Sequence, residues 1–138
     1  PATIRSGIYQ NAFHLIGKDI TTVAIDDLAA AIEFGESREK IKQIVVNAFA
    51  SIPKDSFDVV ILACTHYPLV SDVFAEVLGD VPIFDPAMAV AERVESQLWP
   101  RESGYGQTRF VISKDSEPFR RLVAQLFPNK KYSIEVVE

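Results

Sequence analysis

The chain has 138 residues, 48% hydrophobic and 24% charged, with a net charge of −5 and one cysteine. That length supports one domain with a proper core or parts of two, and the composition is that of an ordered globular protein. No basic run exceeds Lys130-Lys131, which argues against a nucleic-acid partner. No apolar stretch approaches the roughly 20 residues of a membrane span. A single cysteine excludes an internal disulfide and suits a reducing, cytoplasmic setting. The opening Pro1-Ala2-Thr3-Ile4-Arg5 carries no signal-peptide apolar region, and a proline start without methionine is expected of a trimmed fragment.

Apolar residues at Ile4, Ile8, Tyr9, Ala12, Phe13 and Ile16 form a helical stripe over residues 3–16, stopped by Gly17. Residues 21–25 read as a short β-branched strand. Asp26 or Asp27 is placed to cap a short helix over residues 28–34, with Gly35 behind it. Ser37 then caps a longer helix, apolar at Ile41, Ile44, Val45, Ala48 and Phe49, which ends before Pro53. Residues 57–62 are almost continuously apolar, as a strand buried on both faces would be. Pro68 fits the first turn of a helix that runs through Val77 to Gly79. A brief strand over 82–84 follows, and Asp85 caps a helix through Ala91 and Val94 to Leu98, closed by Pro100. Residues 101–107 read as a loop, 108–112 as a strand, 117–127 as a helix and 132–137 as an edge strand. This alternation predicts an α/β protein around a largely parallel sheet, and a boundary is expected near Asp85. There is no internal repeat and no low-complexity tract.

The segment that carries chemistry is residues 60–70, Val-Ile-Leu-Ala-Cys-Thr-His-Tyr-Pro-Leu-Val. It sets Cys64 just past a buried strand and just ahead of a helix, where open α/β sheets expose their reactive groups. A free cysteine is either a small buried hydrophobe or, beside a helix amino terminus, a thiol with an accessible thiolate. An unperturbed thiol with pKa about 8.5 is mostly protonated at neutral pH, so a modest depression populates both forms, as proton shuttling requires. His66 has three readings: a metal ligand, the base of a cysteine hydrolase, or a neighbour that tunes the thiol. His14 is the only other histidine, which yields no zinc set, and no orienting group or oxyanion hole marks a hydrolase. The tuning role suits the spacing best, beside the plain alternative of a hydrogen-bonded loop histidine. Glu33 closes Leu-Ala-Ala-Ala-Ile-Glu-Phe-Gly and by itself reads as a solvated helix-end charge. Thr3 by itself reads as a helix cap ahead of Ser6 and Gly7.

Taken in order, these segments resemble the cofactor-independent glutamate racemases. Residues 1–9, Pro-Ala-Thr-Ile-Arg-Ser-Gly-Ile-Tyr, are similar to the family segment in which a Gly-Thr pair precedes x-x-Thr-x-x-Ser-Gly-x-Tyr, here without that pair. Ile32-Glu33-Phe34-Gly35 resembles Val-Glu-x-Gly, and residues 60–70 resemble the second cysteine signature, with Ala63 where glycine is usual. Phe84-Asp85-Pro86 and the segment from Phe110 to Phe119 fit the pieces that follow. Ile25-Asp26 departs from the family's usual Cys-Pro. His66-Tyr67 stands where the related aspartate racemases carry Glu-Ile, so glutamate is the implied substrate.

The resemblance implies a flavodoxin-like, three-layer parallel fold, as a fragment of a two-domain racemase. Residues 1–85 would be most of the second domain, and residues 86–138 the segment that returns to complete the first. It implies racemisation of L- and D-glutamate without cofactor or metal, by two thiols working on opposite faces of the α-carbon, to supply D-glutamate for peptidoglycan synthesis. Cys64 would be one of those bases, His66 and Glu33 would assist it, and Thr65, His66 and Thr3 would hold the substrate. Family members run to about twice this length, and their first thiol sits in a Cys-Asn-Thr motif that this sequence lacks. The chain alone is therefore expected to be inactive until a missing half or a second subunit completes the site. The competing expectation is a non-catalytic binding or interaction module that keeps the fold.

Overall fold

The structure is a computed structural model that describes residues 2–98 and 106–137. Its strands fall in two parallel pairs, each joined by a helical crossover, as parallel neighbours require. In the first unit β1 (Val60–Ile61) leads through α5 (Ser71–Leu78) to β2 (Ile83–Phe84), with Val60 opposite Ile83 and Ile61 opposite Phe84. In the second, β3 (Thr108–Ile112) leads through α7 (Glu117–Leu126) to β4 (Tyr132–Val136), in register from Thr108 opposite Tyr132 to Ile112 opposite Val136. The remaining helices are α1 (Ala2–Arg5), α2 (Ile8–His14), α3 (Leu28–Phe34), α4 (Arg38–Phe49) and α6 (Ala87–Leu98). The chain is thus α/β with parallel strands, as the alternating periods predict.

The main core gathers one face of three helices onto the end of β1. Leu28 and Ala31 of α3, Ile41 and Val45 of α4, and Val73, Phe74 and Leu78 of α5 are buried together with Leu62. The spacing of four residues between Ile41 and Val45, and between Phe74 and Leu78, puts each pair on one helix face. Outside this core, Arg38 pairs with Asp72 and, at 3.0 Å, with Glu76, while Lys42 also pairs with Glu76, so a charged seam ties α4 to α5. A second cluster is aromatic: the Phe110 ring meets Phe119, Phe127 and Tyr132 edge-on at 5.8, 5.5 and 5.9 Å, beside buried Val123.

The caps at Ser37 and Asp85 follow the sequence, and a further cap forms at Ser116. Ser37 accepts the Lys40 amide at 3.3 Å, Ser116 the Phe119 amide at 3.4 Å, and Asp85 the Ala87 amide at 2.9 Å. Elsewhere the structure departs from expectation. The helix over 3–16 is broken in two, because Gly7 takes a left-handed φ of 65° between α1 and α2. Thr3 consequently lies within α1 rather than capping it, and its carbonyl accepts the Ser6 hydroxyl at 2.8 Å. Residues 21–25 are not a strand: β propensity does not suffice without a ladder partner, and none is present among the described residues. Asp27 occupies the position before α3 at φ 62°, yet neither aspartate side chain caps the helix; the Asp27 carbonyl accepts the Ala31 amide instead.

The strand over 57–62 shortens to two residues and is not buried on both faces, since Val59 and Ile61 are 45% and 37% exposed. Only one strand flanks it among the described residues, so its second edge lacks a neighbour to extend the ladder. The helix expected from Pro68 opens as a 3-10 turn over Tyr67–Val70 and becomes α-helical only at Ser71. In the second unit α7 ends at Leu126 and β4 at Val136, each one residue inside the expected range. Pro100 and most of the expected loop over 101–107 lie outside the described residues.

Candidate functional site

The site is built where β1 leaves its ladder. The Leu62 amide still donates to the Phe84 carbonyl at 2.9 Å, and the buried Leu62 side chain pins this point to the core. The chain then turns: the Cys64 carbonyl accepts the Tyr67 amide and the His66 carbonyl accepts the Leu69 amide, both at 3.1 Å. This tight turn folds the His66 ring back on the cysteine, with Sγ of Cys64 4.0 Å from Nδ1 of His66. Cys64 and His66 are half-buried, and Thr65 between them is exposed.

The other side of the imidazole faces α3. Nε2 of His66 lies 3.8 Å from Oε2 of Glu33, an ion-pair distance rather than a hydrogen bond. The side chains are 31% and 46% exposed, so water screens the pair. Glu33 reaches this position because α3 packs along the Tyr67–Val70 turn through Leu28 and Ala31. At its far end α3 stops at Gly35, whose φ of 71° lets its amide bond back to the Ala31 and Ile32 carbonyls. A carboxylate, an imidazole and a thiol are therefore brought into one row from two distant stretches of sequence. With a proton on Nε2 toward Glu33, Nδ1 can accept from the thiol; with both nitrogens protonated, the imidazolium faces a thiolate. Either arrangement can carry a proton to or from sulfur.

Not every expected residue joins this row. Thr3 is exposed on α1, whose packing is against α2. The α-helical amino terminus expected just beyond Cys64 stands at Ser71, behind the 3-10 turn. Tyr67, to which the sequence reading gave no role of its own, lies on the same turn. The Tyr67 hydroxyl donates to the Ile25 carbonyl at 3.3 Å, and its ring packs on Phe74 at 5.7 Å. Burial holds the Tyr67 phenol above its ordinary pKa, with added contributions from the neighbouring Cys64 and Asp26. The sequence signals for it were its place within the 60–70 run and its pairing with His66.

A shallow groove of about 580 Å³ lies elsewhere, between α3 and α4, lined by Asp26, Asp27, Phe34, Lys40 and Ile44 among others. Cys64, His66 and Glu33 do not line it, and its lining holds neither a thiol nor an imidazole. Among the described residues no three His, Cys, Asp or Glu side chains are placed to share a metal ion. No described helix is long and apolar enough to cross a membrane.

No protein-family model matches the chain. A glutamate racemase of Caldanaerobacter subterraneus is 31% identical over 147 aligned positions, which cover 99% of this chain and 54% of that protein. Among solved structures, a glutamate racemase of Francisella tularensis in complex with D-glutamate superposes with a TM-score of 0.81 at 20% identity. The match covers 100% of this chain and 55% of that one. A glutamate racemase isoform of Bacillus anthracis gives a TM-score of 0.78 at 23% identity, covering 99% of this chain and 54% of that one. The chain spans about half the length of the curated relatives it matches.

Proposed function

Because the chain belongs to the glutamate racemase family, we propose that it contributes one of the two bases of a cofactor-independent racemisation of glutamate. The observation that carries this reading is the Glu33–His66–Cys64 row at the end of β1, in a chain aligned end to end with racemases. In the proposed step the Cys64 thiolate takes the α-proton of L-glutamate. The S–H bond forms as the C–H bond breaks, leaving its electron pair on the α-carbon. A second thiol, from the part of the relatives' length that this chain does not span, delivers a proton to the opposite face and gives D-glutamate. In the reverse direction Cys64 is the acid.

His66, next to Sγ, accepts or returns the sulfur's proton, and Glu33 favours the imidazolium that results. Thr65, His66 and Thr3 are the proposed contacts to substrate, with dipoles aimed at the developing carbanion lowering its energy. Residues 1–85 form the unit that carries Cys64, and residues 86–138 a segment that packs on a further domain. The grouping of the Leu28–Leu78 core on one side of that boundary and the Phe110 cluster on the other supports this division. The product would be the D-glutamate of cytoplasmic peptidoglycan synthesis.

One cysteine is present, so the chain alone does not invert glutamate. The test is exchange of the α-proton in D2O, followed by NMR for each enantiomer with the chain, its Cys64→Ser variant and a blank. The expected result is either exchange of the L-form that depends on Cys64, without inversion, or recovery of inversion when the complementary racemase segment is added. Inversion by the purified chain alone would refute the proposal. Absence of both exchange and complementation would instead favour a non-catalytic module.

A further inference from the structure

The Cys64 turn and α3 meet through a contact that the reaction itself does not require. The Tyr67 hydroxyl donates to the Ile25 carbonyl at 3.3 Å, joining the residue after His66 to the stretch that leads into α3. Ile25 precedes Asp26 and Asp27, and Asp27 is the last residue before α3, where the chain takes its left-handed φ of 62°. The Ile25 carbonyl therefore fixes the start of the helix whose last turn bears Glu33. The Tyr67 ring is itself held, packed 5.7 Å from the fully buried Phe74. A phenol is protonated through the neutral range, and burial raises that of Tyr67 further, so its proton is available to the carbonyl.

We propose that Tyr67 is a positioning residue of the site: its hydroxyl, bonded to the Ile25 carbonyl, sets α3 so that Glu33 stands against His66. This inference rests on the reading of Cys64 as a reactive thiol tuned by His66. Without the bond α3 can shift along the turn, and a pair already at 3.8 Å and partly exposed would lose its contact. The His66 ring would then be held less firmly beside Sγ, and Cys64 would react more slowly. An exposed ion pair is worth up to about 1 kcal/mol, so the expected change in thiolate reactivity is about two- to fivefold.

The test is a double-mutant cycle on the full chain. The rate of Cys64 alkylation by iodoacetamide at pH 7 is measured for the parent, Tyr67→Phe, Glu33→Gln and the double variant. Tyr67→Phe keeps the ring on Phe74 and removes one oxygen, and an unchanged circular dichroism spectrum confirms that the variant is folded. The expected outcome is slower alkylation in each single variant by about two- to fivefold. Tyr67→Phe should have no further effect when Glu33 is already Gln, a coupling that a purely structural role would not give. Equal slowing by Tyr67→Phe in both backgrounds would overturn the proposal, because Tyr67 would then act on sulfur without Glu33. An effect of Glu33→Gln with none of Tyr67→Phe would overturn it and leave the Glu33–His66–Cys64 reading intact. No effect of Glu33→Gln would overturn both, since Glu33 would have no action for Tyr67 to hold.

Discussion

Replacing Phe74 should show how strongly the Cys64 turn depends on the core beneath it. Phe74, on α5, is 1% exposed and packs against two other segments at once. Its ring meets Phe49 of α4 edge-on at 6.5 Å and 88°, and Tyr67 of the Cys64 turn at 5.7 Å and 38°. Truncation to alanine removes the transfer energy of a buried ring and leaves a cavity, a change that costs about 3–5 kcal/mol. A domain is stable by only about 5–15 kcal/mol, so Phe74→Ala should be largely unfolded at moderate urea where the parent is still native. Phe74→Leu is the informative partner, because it keeps most of the apolar volume but loses both ring pairs. Each pair contributes about 0.5–1.5 kcal/mol beyond area burial, giving an expected loss of about 1–3 kcal/mol. Urea unfolding followed by far-ultraviolet circular dichroism measures both variants, with the denaturant slope checked for constancy. A loss below about 1 kcal/mol for Phe74→Ala at constant slope would refute the argument that this ring is the keystone of the core.

The charged seam between α4 and α5 predicts a specific acid dependence. The Arg38 hydrogen bond holds Asp72 below the usual carboxylate range, and Lys42, then Arg38, do the same for Glu76. A depressed carboxylate stabilises the fold above its unfolded pKa near 4, and that stabilisation is lost as pH falls through the folded value. Arg38→Met should therefore be less stable than the parent at pH 7, and the two should converge once the pH has fallen through the depressed carboxylate values; a difference that persists unchanged in acid would exclude this origin. At the end of α3, Gly35→Ala should cost about 1–2 kcal/mol through its left-handed backbone. The nearest atom to an added Cβ is Arg121 Nη2 at 3.9 Å, so there is no steric clash to confuse the reading. A thermal unfolding curve superimposable on the parent's would show that the position is not constrained as its φ of 71° requires.

The sequence was legible wherever a local rule decides the outcome. The strand over 108–112 and the caps at Ser37 and Asp85 depend on pattern and hydrogen bonding within a few residues, and they appear where the sequence puts them. It was not legible where a distant partner decides. Residues 21–25 have strand chemistry without a ladder, and residues 57–62 keep only two residues of strand for the same reason. Glu33 illustrates the same limit at the site. In sequence it is an ordinary helix-end charge, and only the packing of α3 on the Tyr67–Val70 turn sets it against His66. Cys64 and His66, two residues apart on one turn, needed no such information to be found together.

The geometry that matters for the proposed proton transfer therefore depends less on the Cys64 turn than on how α3 is held. Its start is tied by Tyr67 to the Ile25 carbonyl, and its core-facing Leu28 and Ala31 are buried. Its end is touched from the other unit: Nη2 of Arg121, on α7, lies 3.5 Å from the Phe34 carbonyl. That bond is long and exposed, and so individually weak. It is nevertheless one contact through which the segment after Asp85 reaches the helix bearing Glu33, one residue from the carboxylate itself. Whatever settles α7 also bears on Glu33, because a displacement of α3 by about 1 Å is large against a 3.8 Å ion pair. A site with one thiol and a screened carboxylate–imidazole pair would thus gain definition from any surface that fixes the second unit. The coupling runs through the backbone of α3 and needs no contact between that surface and Cys64.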